Sequence, residues 1–115
     1  MKEVQVFEEM YRADISLIVG GTIPELQSLI ESRHDDAPQL DDDTDGYQFE
    51  CRSKGGQNER FYIYIEKMDP YLLYHEIMHL VFSIMKHRGI TYSSGSEEAF
   101  AYLGGRIFEL LKIKI

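Results

Sequence analysis

The chain has one cysteine, Cys51, and no tryptophan. One thiol excludes an internal disulfide, so stability has to come from a packed core, and the expected setting is a reducing one. Proline is scarce, at 3 of 115 residues, so no proline-rich linker divides the chain. Basic residues are outnumbered, 12 against 20 acidic, giving a net charge of -8. Phosphate backbones demand a basic surface, so general nucleic-acid binding is not expected. Long apolar runs are missing too. The longest early one, residues 15–19, is far too short for a membrane span or a signal peptide.

What is present fits one compact domain over residues 1–115. At this length there is one core, and 43% hydrophobic residues is ordinary for it. Alternation of Tyr11, Ala13, Ile15, Leu17 and Val19 with Arg12, Asp14, Ser16 and Ile18 predicts a first strand. Gly20 and Gly21 end it. Thr22 and Glu25 are spaced as a capping box, with Pro24 near the first turn, and they open a helix to about residue 33. Residues 47–52 and 61–66 alternate as two strands around a polar turn at 53–58. Asp69 and Pro70 begin a second helix, and a third follows residue 94. The expected class is therefore α+β, in the order β-α-β-β-α-α, a small sheet packed on helices. Cys51 shares a strand face with Tyr47 and Phe49 and reads as a small buried hydrophobe.

The acidic stretch at about 34–46 contains Asp41, Asp43, Asp45 and Gly46, the first half of an EF-hand loop. Position 12 of that pattern falls on Arg52, a cation where a bidentate carboxylate belongs, so a solvated acidic loop is the expected reading.

The chemistry lies in His75-Glu76-Ile77-Met78-His79, an HExxH motif. Histidines four apart on a helix stand about 40° apart around the axis and one turn along it, so both reach one ion. The glutamate between them can take a proton from water beside that ion without ligating it. Leu73, Ile77, Leu80, Val81 and Ile84 follow a core stripe, with His75 and His79 at its edge, where a metal cleft needs them. Lys86, His87 and Arg88 suit the helix C-terminus, and Gly89 is its expected stop. The third helix opens near Ser94 or Ser96, with Ser94 and Glu97 spaced as a capping box. Glu97 and Glu98 fall in its first turn, where a short connection could return them to the depth of the histidines.

These residues resemble the zincin metallopeptidases, and among them the gluzincin arrangement of HExxH followed by a ligand glutamate on the next helix. The segment Glu98-Ala99-Phe100-Ala101-Tyr102-Leu103 is similar to the Glu-x-x-Ala helix of that group. The stretch from 75 to 111 is similar to small HExxH proteins of phages and prophages. The resemblance implies a minimal zincin-like domain with one Zn2+ per chain, held by His75, His79 and Glu98, with Glu97 as the alternative third ligand and Glu76 as catalytic base. It implies zinc-dependent hydrolysis of a peptide bond. Tyr102 and Tyr92 are both candidate donors to the oxyanion. Metzincin ligand spacing is not met, since Phe82 and Met85 stand where glycine and histidine belong, so His87 is expected to be a solvated last-turn residue. Zincins add their peptide as a strand along a sheet edge, and residues 61–65, just before the metal helix, are the candidate edge. No membrane partner is expected. The expected location is the cytoplasm, of the host if phage-encoded, or the virion. The alternative is a non-catalytic module of zincin-like fold, such as a phage assembly or virion component.

Overall fold

A computed structural model describes residues 1–41, 46–52 and 59–114. The observed order is β1 (Lys2–Glu8), β2 (Ala13–Val19), α1 (Ile23–Arg33), β3 (Gly46–Arg52), β4 (Glu59–Ile65), α2 (Pro70–His87) and α3 (Glu97–Lys114). The α+β class and the six expected elements are all present. One more strand precedes them. The tip of the acidic loop, 42–45, and the turn at 53–58 lie outside the described residues, and with the former go Asp43 and Asp45 of the EF-hand pattern.

The strands form a mixed four-stranded sheet in the order β1-β2-β4-β3. β1 pairs with β2 and β3 with β4 antiparallel, while β2 and β4 run parallel, with Ile15 opposite Phe61 and Val19 opposite Ile65. Helices cover both faces. On one face Ala13, Ile15, Leu17, Phe61, Ile63 and Ile65 pack under Leu73, Ile77, Leu80 and Ile84 of α2 and Leu103, Ile107 and Leu111 of α3. On the other, Ile18, Phe49, Cys51, Tyr62 and Tyr64 meet Ile23, Leu26 and Ile30 of α1. Double coverage explains why the central strands lose the alternation expected of a one-sided sheet: all five residues from Phe61 to Ile65 are buried.

This topology corrects one expectation. β4 is hydrogen-bonded on both sides, so residues 61–65 are an interior strand and present no free edge. The edges belong to β1 and β3. Of these, β3 is the one over which α2 lies.

Local chemistry sets the helix ends. Thr22 accepts from the Glu25 N–H at 3.2 Å while Glu25 Oε1 accepts from the Thr22 N–H at 3.1 Å, the reciprocal capping box. Asp69 caps α2, accepting from the Tyr71 N–H at 2.9 Å, with Pro70 at the first helical position. The far end closes on Gly89 at φ 75°, with Ile90 N–H donating to Met85 O at 2.9 Å and Gly89 N–H to Lys86 O at 3.1 Å, a Schellman motif. Arg88 then fastens this end of α2 to the sheet. Its guanidinium donates to the carbonyls of Tyr11 and Arg12 at 2.7 and 2.9 Å and pairs with Glu59.

The start of α3 decides between the two expected caps. The helix begins at Glu97, and Phe100 N–H donates to Ser96 O at 3.2 Å, which places the cap at Ser96 rather than Ser94. The Ser96 hydroxyl is used in the loop, donating to Thr91 O at 2.7 Å and accepting from Ser93 N–H at 2.9 Å.

Candidate functional site

The HExxH segment occupies the second and third turns of α2. His75 and His79 are exposed and Glu76 is buried, at 7% accessibility. The two imidazoles approach with their Nε2 atoms 3.2 Å apart, rings 76° from coplanar. Nitrogen ligands bound at about 2.0–2.1 Å to a tetrahedral zinc ion lie about 3.3–3.4 Å from each other. The pair is thus already spaced as two ligands of one ion. As a direct hydrogen bond the same contact needs one ring to donate and the other to accept.

Glu76 stands about 100° around the helix from His75, beneath the sheet edge at Gly46. A β-carbon at Gly46 would stand 3.0 Å from Glu76 Oε2 and 3.0 Å from Leu72 Cδ1. Only a residue without a side chain lets β3 pass this close over the carboxylate. Gly46, Gln48 and Glu50 alternate on the α2 face of β3. Glu50 is held there by Ser83 at 3.3 Å and His87 at 3.1 Å. His87 is exposed in the last turn of α2, as expected, and from there it also reaches Glu50 of β3 and stands T-shaped to Phe61. Between these anchors is a shallow cavity of about 330 Å³, lined by Asp41, Gly46, Tyr47, Gln48, Glu76 and His79.

The expected third ligand stands apart from this group. α3 returns antiparallel to α2 with Phe100 against Phe82, Gly104 against Met78 and Phe108 against Tyr74. In that register Leu103 is level with His79, and Glu98 is level with Ile84. Five residues of offset amount to about 7.5 Å along the axis. Both Glu97 and Glu98 are exposed. Among the described residues no group of three or more His, Cys, Asp or Glu side chains could hold a metal ion. The fit to zinc is therefore met by two imidazoles and a neighbouring carboxylate, with no third ligand in place among the described residues.

The tyrosines fall elsewhere. Tyr102 lines a separate cleft with Glu8, Glu9, Met10 and Arg106, and Tyr92 packs with Phe82 and Phe100 at centroid distances of 5.5 and 5.1 Å. Gly46 and Gln48 are the site residues that sequence reasoning missed. Gly46 was absorbed into the acidic pattern before it, and Gln48 carries no chemistry that marks it in isolation. Their shared parity with Glu50 was the available signal.

Other ionisable groups have structural roles. Arg33 grips Glu3 through two hydrogen bonds of 2.8 and 2.9 Å, which hold the Glu3 carboxyl at about 2, below the usual range. Burial pushes the Cys51 thiol up to about 12, as befits an inert core sulfur. No helix is long and apolar enough to cross a membrane among the described residues. No family model, curated protein or solved structure matches this chain.

Proposed function

We propose that this chain is a zinc-dependent metallopeptidase, with His75 and His79 as metal ligands and Glu76 as the general base. The observation that carries the reading is the 3.2 Å separation of the two Nε2 atoms, on the same helix turns as a buried glutamate that opens onto an adjoining cavity. Zinc held there would supply Lewis acidity and lower the pKa of water beside it. Glu76 would take the proton of the attacking water and deliver it to the leaving amine. Its burial under Gly46 keeps the carboxylate out of bulk solvent and limits its rotamers. A peptide would approach along the β3 edge, which borders the cavity, in place of the interior strand 61–65.

By resemblance the third ligand is Glu98, with Glu97 as the alternative. Either requires the first turn of α3 to close the axial offset. Tyr102 and Tyr92 stay candidates for the oxyanion donor only with a comparable movement. The single buried cysteine suits a cytoplasmic location.

The second reading is a non-catalytic binding or structural module of zincin-like fold, and the exposure and offset of Glu98 favour it. Glu76→Gln separates the two. In the peptidase it leaves zinc content intact and lowers turnover about 100- to 10,000-fold. A variant with full biological activity identifies the module instead.

A further inference from the structure

Gln48 stands out among the polar groups of the site. Its Oε1 atom is buried with no hydrogen-bond partner among the described residues. Buried acceptors are nearly always paired, and leaving one unpaired costs about as much as a lost hydrogen bond. Its two neighbours on the same face of β3 are committed. Glu50 is held by Ser83 and His87, and Gly46 contributes no side chain. Gln48 lies between them and lines the cavity that Glu76 and His79 also line.

We infer that the Gln48 side-chain amide is the peptide-recognition group of this cavity, hydrogen-bonding a main-chain amide of a peptide laid over the β3 edge. The inference rests on the peptidase reading and names how that site would hold its substrate. A carboxamide both donates and accepts, so it matches the N–H and the C=O of a peptide unit in either orientation. Charge selects the same ligand class. Asp41 and Glu76 line the cavity, so an anionic group is repelled there, whereas a neutral peptide unit is not. Position agrees as well. β3 is an edge strand of the described sheet, so a peptide laid along it displaces no described strand. Gln48 is thus a positioning residue, which orients the scissile segment beside Glu76.

The test uses Gln48→Met, which keeps the length of the side chain and removes its polar atoms. Two probes are titrated calorimetrically into zinc-loaded protein: acetohydroxamate, which has no peptide unit, and a hydroxamate carried on a dipeptide. The parent should bind the dipeptide probe more tightly. Gln48→Met should weaken that probe roughly five- to tenfold, the value of one hydrogen bond, and leave acetohydroxamate and zinc content unchanged. The thermal midpoint of the metal-free variant should equal or exceed the parent's, because an unpaired acceptor has been removed. A lowered midpoint would assign Gln48 a structural role and overturn the inference. So would equal affinity of parent and variant for the dipeptide probe, or a zinc-loaded parent that fails to prefer it; each leaves the zinc site standing. A parent that binds no zinc would instead sink the peptidase reading itself, and the inference with it.

Discussion

Gly46→Ala probes the contact between the sheet edge and the carboxylate of the HExxH motif. In an ordinary strand, at negative φ, glycine to alanine stabilises by about 0.4–1 kcal/mol through the unfolded chain. Gly46 has ordinary extended backbone, so no conformational strain opposes the change. The added methyl, however, would meet Glu76 Oε2 and Leu72 Cδ1, each at 3.0 Å. Glu76 is buried and Leu72 packs against the core, so each must give by a few tenths of an ångström to admit the methyl. Overpacking of this kind costs about 1–3 kcal/mol. Set against the ordinary gain, a net loss of about 1–2 kcal/mol is expected. For a domain of this size that lowers the thermal midpoint by about 4–10 °C, followed by far-ultraviolet circular dichroism. Leu72→Ala in the same chain should recover part of the loss, because it removes one of the two opposing atoms. A Gly46→Ala protein more stable than the parent would refute the close approach and, with it, the placement of Glu76 beneath β3.

Three further outcomes follow from the same contacts. Glu3 has its pKa depressed in the folded state, to about 2, chiefly by its hydrogen bonds from Arg33. That stabilisation is complete above the ordinary carboxylate range and is lost as pH falls from about 4.5 toward 2, so Glu3→Gln should flatten the stability–pH curve in that window; an unchanged acid limb in urea titrations would contradict the pairing. Gly105 is exposed in the interior of α3, with open space where a methyl would go, so Gly105→Ala should stabilise by about 0.5–1 kcal/mol. Gly104→Ala should gain less or lose stability, because its methyl would stand 3.2 Å from Met78 Sδ in the α2–α3 contact; equal gains at both positions would show that the helices are not packed that closely.

Much of the fold was written locally. The Thr22–Glu25 box, the Asp69–Pro70 start and the Gly89 stop each satisfy helix-end groups with neighbouring residues, so they read directly from spacing. The core stripe of α2 is similarly legible, and all five residues expected there are buried. β1 was not. Its inward positions are Val4, Val6 and Glu8, and a carboxylate at the third breaks the apolar alternation. Glu8 tolerates burial because it accepts from the N–H groups of Met10 and Tyr11, at 3.1 and 2.7 Å, in the turn that follows. Strand order was equally hidden. The parallel pairing of β2 with β4 makes residues 61–65 interior, and only tertiary contacts decide that.

At the site, the spacing of His75 and His79 is a property of one helix, so sequence alone carried it. The relation of Glu98 to the histidines depends on the register between two helices. That register is set by Gly104 against Met78 and by the aromatic contacts on either side of it, none of which HExxH spacing encodes.

The measurement that bears most directly on the central claim is metal content after dialysis against zinc and removal of excess. The account predicts close to one zinc per chain in the parent, most of it lost in His79→Ala, while His87→Ala retains it. Glu98→Ala measured in parallel reports whether the first turn of α3 closes onto the ion. Near-zero zinc in the unmutated protein, or full retention in His79→Ala, would contradict the claim that the paired imidazoles form a metal site.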